Sequence, residues 1–145
     1  MCQKNREETM KICGIDLKAS NMIISVVEVK NNDINYIPLD LKKLSIQNDE
    51  NKSEIESFYE TFKTFLRDNN IDKIIIKKRA KSGKFSGGAN TFKMEGIIQL
   101  NRQCDVEFIS AQAIASYKKK NDITLPPNLL KYQEDAYLSA IVGIK

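Results

Sequence analysis

Histidine and tryptophan are both absent from the 145 residues of this chain. Without an imidazole, Ser-His-Asp and Cys-His nucleophiles and every histidine-bearing zinc site are excluded, since each needs that ring as base or ligand. Carboxylate, lysine, tyrosine and thiol chemistry remain. Cysteine is scarce as well: Cys2, Cys13 and Cys104 form no CxxC pair and are too few for a four-cysteine zinc site. Cys13 and Cys104 lie in apolar stretches and are expected to be small core residues. No apolar run approaches the ~20 residues needed to span a bilayer. The polar start MCQKNREETM carries no secretory pattern. No membrane partner and a cytoplasmic location are therefore expected.

With 6 Gly and 3 Pro against 41% hydrophobic and 29% charged residues, the composition is that of a globular protein rather than a fibrous or disordered one. The length suits one domain. Residues 1–9 read as a loose, solvated tail and 10–145 as a single domain.

Residues 11–16 (KICGID) and 22–29 (NMIISVVE) are rich in Ile and Val and flank LKASN, which predicts a strand, a turn and a strand. NNDI at 31–34 reads as a second turn. YIPLDLKKLSI then supplies a third strand, with Pro38 suited to an edge or bulge. From Ser53 the period changes: Ile55, Phe58, Tyr59, Phe62, Phe65 and Leu66 share one helical face. Ser53 and Glu56 fit a capping box. IDKIIIKK at 71–78 has the pattern of a buried central strand. A helix is expected from Ala89 to about Arg102, with Gly96 implying close backbone packing. DVEFIS at 105–110 reads as a strand, AQAIASYKKK as a helix, and about Leu129 to Val142 as a last helix stopped by Gly143. Three hairpin-linked strands followed by alternating helices and strands predict an α/β domain with a mixed sheet.

The net charge of +4 conceals an asymmetry. Between Lys73 and Met94 stand seven basic residues, Lys73, Lys77, Lys78, Arg79, Lys81, Lys84 and Lys93, and no acidic one before Glu95. The rest of the chain holds 16 basic against 19 acidic residues and is mildly negative. A localised positive segment leading into a helix N-terminus suits phosphate. Lys77, Lys78, Arg79, Lys81 and Lys84 are the candidate phosphate-binding residues, the alternative being a solvated basic loop. Gly83 and Gly88 have phosphate-loop spacing, but Ala89 and Asn90 stand where such a loop needs Lys and Ser or Thr. Phe85 alone is too little for a stacking platform. Lys118, Lys119 and Lys120 complement the end of a helix dipole.

Among the acids, Asp16 ends the first strand beside a glycine, where a carboxylate is placed to bind a hard cation such as Mg²⁺. It also suits a turn. Glu134 and Asp135 form a second candidate, at the rim of a helix face that packs on the sheet, or as surface charge on its first turn.

Taken together, the GID strand ending in Asp16, the middle strand followed by a polar loop and helix, the segment VEFISAQAIASYKKK, and a last helix in which Asp135 precedes Ala136 resemble the ribonuclease H-like superfamily. Within it they resemble the branch of the bacterial Holliday-junction resolvases. The likeness runs over residues 11–143 and looks closest to a small bacterial family of unassigned function. It implies a mixed five-stranded sheet, three antiparallel strands then two parallel, flanked by helices. It also implies a carboxylate site for Mg²⁺ or Mn²⁺ that activates water for phosphodiester cleavage. By position Asp16 and Asp135 match metal-binding acids, with Glu134 beside them as a further catalytic candidate. The middle-strand acid is replaced within Lys77, Lys78 and Arg79, with Lys78 the expected occupant, and Tyr132 stands one helical turn before Asp135.

Three functions are compatible with these residues. One is a divalent-metal phosphodiesterase using Asp16 and Asp135. The next is a module that binds nucleic acid, DNA or RNA, without cleaving it. The last is a scaffold for an acidic protein, with a homodimer as a further association.

Overall fold

Continuous runs rich in Ile and Val flank a two-residue turn at Ala19 and Ser20, and this produces the first hairpin. Strand β1 (Thr9–Lys18) pairs antiparallel with β2 (Asn21–Lys30), Lys18 lying opposite Asn21. The structure is a computed structural model and describes residues 9–79 and 88–144. Residues 1–8 of the expected tail lie outside these, while Thr9 already belongs to β1. Ala19 adopts a left-handed φ of 54°, unusual for a residue with a Cβ. Its carbonyl accepts a hydrogen bond of 3.0 Å from the Thr91 hydroxyl, which helps to hold the turn.

The third strand comes earlier than expected. β3 (Asp33–Ile37) pairs antiparallel with the outer half of β2, starts within the segment read as a turn, and ends before Pro38. A short additional strand, β4 (Lys43–Ser45), pairs with the first residues of β2. Helix α1 (Lys52–Asp68) buries Phe58, Phe62, Phe65 and Leu66. Its cap is Asn51 rather than Ser53: the Asn51 side chain accepts from the Glu54 amide. The Glu54 carboxylate in turn accepts from the amides of Gln47 and Asn48.

β5 (Lys73–Lys77) lies parallel to β1 on one side and to β6 (Asp105–Ile109) on the other, with Ile74, Ile75 and Ile76 buried. The strand order is β3-β2-β1-β5-β6, with β4 also on β2. This is the expected mixed sheet of three antiparallel strands followed by two parallel ones, joined by one short extra strand. α2 (Ala89–Gln99) ends at Leu100, short of Arg102. α3 (Ala111–Lys120) is capped by Ser110. The last helix is shorter than expected: a 3₁₀ turn at Lys131–Gln133 leads into α4 (Glu134–Val142).

Two apolar layers form because strand side chains alternate faces. Cys13, Ile15, Leu17, Ile74 and Ile76 pack with residues of α1 and α2, whereas Ile12, Val27 and Ile75 pack with residues of α3 and α4. Cys13 is a core residue as expected, and half-buried Cys104 packs against the same layer.

Among the described residues, glycine matters at two places, and Gly96 is neither. A Cβ at Gly96 would meet nothing within 4 Å, so the expected close approach is absent there. At Gly14 a Cβ would stand 1.9 Å from the Ala136 carbonyl oxygen and 2.9 Å from the Ala140 nitrogen, so α4 lies with its backbone directly on β1. At Gly143, which ends α4, a Cβ would come within 2.8 Å of the Ile75 side chain.

Gly14→Ala is therefore expected to lower stability by about 3 kcal/mol or more, the upper end of ordinary overpacking, because the atoms it meets are backbone. Gly96→Ala should be neutral or stabilising by up to ~1 kcal/mol. Urea denaturation of the two variants beside the parent chain checks both.

Candidate functional site

The candidate site lies where the parallel strands β1 and β5 end, the position at which open α/β sheets leave a crevice. Gly14 and Asp16 point to the face covered by α4, because residues two apart on a strand share a face. The register pairs Ile15 with Ile76, so Asp16 and Lys77 stand abreast at the strand ends. Opposite them, α4 brings Asp135 on its first turn, immediately before the Ala136 carbonyl that occupies the space over Gly14. The Lys77 ammonium donates to Asp135 Oδ2 at 2.7 Å, with side chains 17% and 33% exposed.

Asp16 is fully buried, and neither of its carboxylate oxygens has a hydrogen-bond partner among the described residues. The Lys18 ammonium approaches it, with Nζ 3.8 Å from Oδ2. Burial pushes the Asp16 carboxyl above its ordinary value; Lys77 and Lys18 oppose this, Asp135 adds to it, and Arg79 opposes it further. Arg79, two residues after Lys77 and so on the same side of the chain, has a buried Nε without a partner among the described residues. Three cations thus act on two carboxylates.

Two unpartnered oxygens are what a hard cation takes. The other members of the site do not fit one. A divalent ion between Asp16 and Asp135 would meet the ammonium already bonded to Asp135, within a group whose formal charge is positive. Among the described residues, no group of three or more Cys, Asp or Glu side chains is placed to hold a metal ion. The arrangement can instead neutralise two acids with a tethered cation and keep them from repelling.

The remaining sequence candidates separate. Lys77, and not the expected Lys78, is the residue that pairs with Asp135 and acts electrostatically on Asp16. Lys78 alternates to the other face, with an exposed side chain and its amide bonded to the Ile109 carbonyl at 2.8 Å. Lys81 and Lys84 lie outside the described residues. Glu134 pairs with Lys118 of α3 at 3.4 Å. Tyr132 sits on the 3₁₀ turn with the Lys43 ammonium 5.1 Å from its ring centroid.

Two contributors are not among the residues that the sequence singles out. Lys18 follows Gly14 and Asp16 at the same period of two, a signal that could have found it. Gln133 is buried; its amide donates to the Ile24 carbonyl at 2.9 Å, and its oxygen accepts from the Leu130 amide at 3.1 Å. Ile24 lies in the part of β2 between the residues paired with β4 and with β3, so its carbonyl is free to accept. The turn anchored in this way borders a 550 Å³ cleft lined by Lys18, Leu130, Lys131, Tyr132, Glu134 and Asp135.

Residues 10–143 match the family described as "Protein of unknown function (DUF3010)". No curated protein matches the chain. Among solved structures, the chain is similar to Thermus thermophilus RuvC, with a TM-score of 0.71, 10% identity and 92% of each chain covered. It is also similar to T. thermophilus RuvC in complex with Holliday junction substrate, with a TM-score of 0.65, 12% identity, and 92% of this chain and 91% of that one covered. At these identities the likeness shows the fold alone, a ribonuclease H-like one shared with RuvC.

Because the Asp16 carboxyl is raised on folding, the native chain holds more protons than the unfolded one between the unfolded value of 3.8 and the higher folded one. The contribution of Asp16 to stability is therefore best on the acid side of that window and falls as pH rises through the folded pKa. Asp16→Asn removes this slope and is expected to be more stable than the parent chain at neutral pH, read from urea midpoints between about pH 4 and about pH 8. Lys77→Met strips the largest counter-charge, so the Asp16 carboxyl should titrate at still higher pH in carbon-detected NMR. Lower stability of Asp16→Asn at neutral pH would instead mean that the surrounding cations outweigh burial.

Proposed function

The chain belongs to the DUF3010 family of proteins of unknown function, and we propose that it binds the phosphate backbone of nucleic acid without cleaving it. The reading is supported above all by the Lys77–Asp135 ion pair, in which an ammonium group already neutralises one of the two acids that a metal ion would need. A lysine there supplies positive charge to hold Asp16 and Asp135 together. It has no open coordination position at which to activate water.

Binding is supported by the concentration of basic residues from Lys73 to Lys93. The fold is shared with a RuvC whose structure was determined in complex with Holliday junction substrate. On this reading Lys78, exposed on the far side of the strand end, and Arg79 begin a phosphate grip that Lys81 and Lys84 extend. Such contacts are independent of base sequence and weaken as salt displaces them.

Labelled duplex, single-stranded and branched DNA or RNA should bind at low salt and remain intact with Mg²⁺ or Mn²⁺; cleavage by the pure protein would overturn the reading. Changing Lys78 and Arg79 together to Gln should lower the salt slope of log K by up to about 2, one for each phosphate that is no longer neutralised.

The role given to Lys77 has its own test. Lys77→Glu assembles a third carboxylate beside Asp16 and Asp135, and Mn²⁺ is expected to raise the melting temperature of that variant but not of the parent chain. Equal stabilisation of the parent would show that the ammonium yields its place to a metal.

A further inference from the structure

The 550 Å³ cleft beside the ion pair has a chemistry of its own. Its size falls within the range of about 300–1,000 Å³ typical of small-molecule sites. The two acids in its wall are matched by cations from outside it, Glu134 by Lys118 at 3.4 Å and Asp135 by Lys77 at 2.7 Å. The two lysines in its wall are not matched in the same way. Lys131 makes no ion pair among the described residues. Lys18, with a side chain 54% exposed, reaches only the buried Asp16 at 3.8 Å. The cleft therefore carries surplus positive charge.

The same lining includes large apolar side chains left partly open to solvent, Leu130 at 43% and Tyr132 at 37%. A phenol ring close to ammonium groups matches a flat ring attached to phosphate. Lys43, which addresses the Tyr132 ring from outside the lining, adds to the positive field. The ion pairs use one oxygen of each acid, Glu134 Oε2 and Asp135 Oδ2. A carboxylate has about four acceptor sites, so both acids retain capacity for an amino group on a ring.

We propose that this cleft takes one unstacked nucleotide of a nucleic-acid strand, its base against Tyr132 and Leu130 and its phosphates on Lys18 and Lys131. The inference rests on the nucleic-acid reading above and narrows it to strands with an unpaired base. The remaining acceptor oxygens of Glu134 and Asp135 favour bases that carry an exocyclic amino group.

The probe is an oligonucleotide duplex with one unpaired 2-aminopurine, a fluorescent base that bears such an amino group. Binding of the parent chain should quench its fluorescence by stacking. Tyr132→Ala should abolish the quenching and weaken binding about ten-fold, the order of one base–aromatic stack. Tyr132→Phe should keep both, and Lys131→Gln should weaken binding while the bound base stays quenched. If the duplex binds in a salt-dependent way but its 2-aminopurine is unquenched, or is quenched equally by Tyr132→Ala, the cleft inference fails and the backbone grip stands. If no oligonucleotide binds at low salt, both fail. Equal affinity for free 2-aminopurine nucleoside monophosphate would overturn the assignment to a strand and make the cleft a mononucleotide site.

Discussion

The arrangement of this protein depends on the contact of one backbone with another. Where other residues of β1 present side chains to α4, Gly14 presents none, and the Ala136 carbonyl occupies the space. The helix therefore sits closer to the sheet than side-chain packing allows. Because Asp135 immediately precedes Ala136, and Asp16 follows Gly14 by two, the same contact brings two acids from opposite ends of the chain to one place. Lys77 stands beside Asp16 and pairs with Asp135 because β5 lies beside β1 in parallel, one register step beyond the Ile15–Ile76 pair.

Once gathered, these groups face an electrostatic problem that packing cannot solve. A fully buried carboxylate without hydrogen bonds is costly, and a second acid nearby raises the cost. Lys77, Lys18 and Arg79 offset this only in part, since the Asp16 carboxyl still sits above its ordinary value. The site is thus a compromise between burial and compensation. In the proposed function, that compromise stands between the buried acids and the basic surface beyond them.

Much of the fold is legible in the sequence because its signals are local and repetitive. The Ile- and Val-rich strands, the apolar face of α1 and the continuous Ile74–Ile76 run each state their environment. β3 is harder to place because its sequence DINYI lies at the sheet edge, mostly exposed, with little apolar alternation to announce it. The α1 cap departs from the expected one because Glu54 bonds back to Gln47 and Asn48, a contact that no spacing rule within the helix expresses. Asp16 and Asp135 can be singled out from position. Choosing Lys77 over Lys78 requires the face on which β5 turns its side chains. Gln133 is hidden more deeply, since its partner is a carbonyl 109 residues away in a part of β2 between two strand pairings.

The ion pair of Lys77 with Asp135 has one further consequence. A metal ion is held in proportion to its supply, and a chelator or a competing ion can remove it. The ammonium of Lys77 is attached to the chain, so its local concentration is set by the fold and is the same in every folded molecule. Neutralisation of Asp135 is therefore independent of the metal content of the surroundings and is inherited with the sequence.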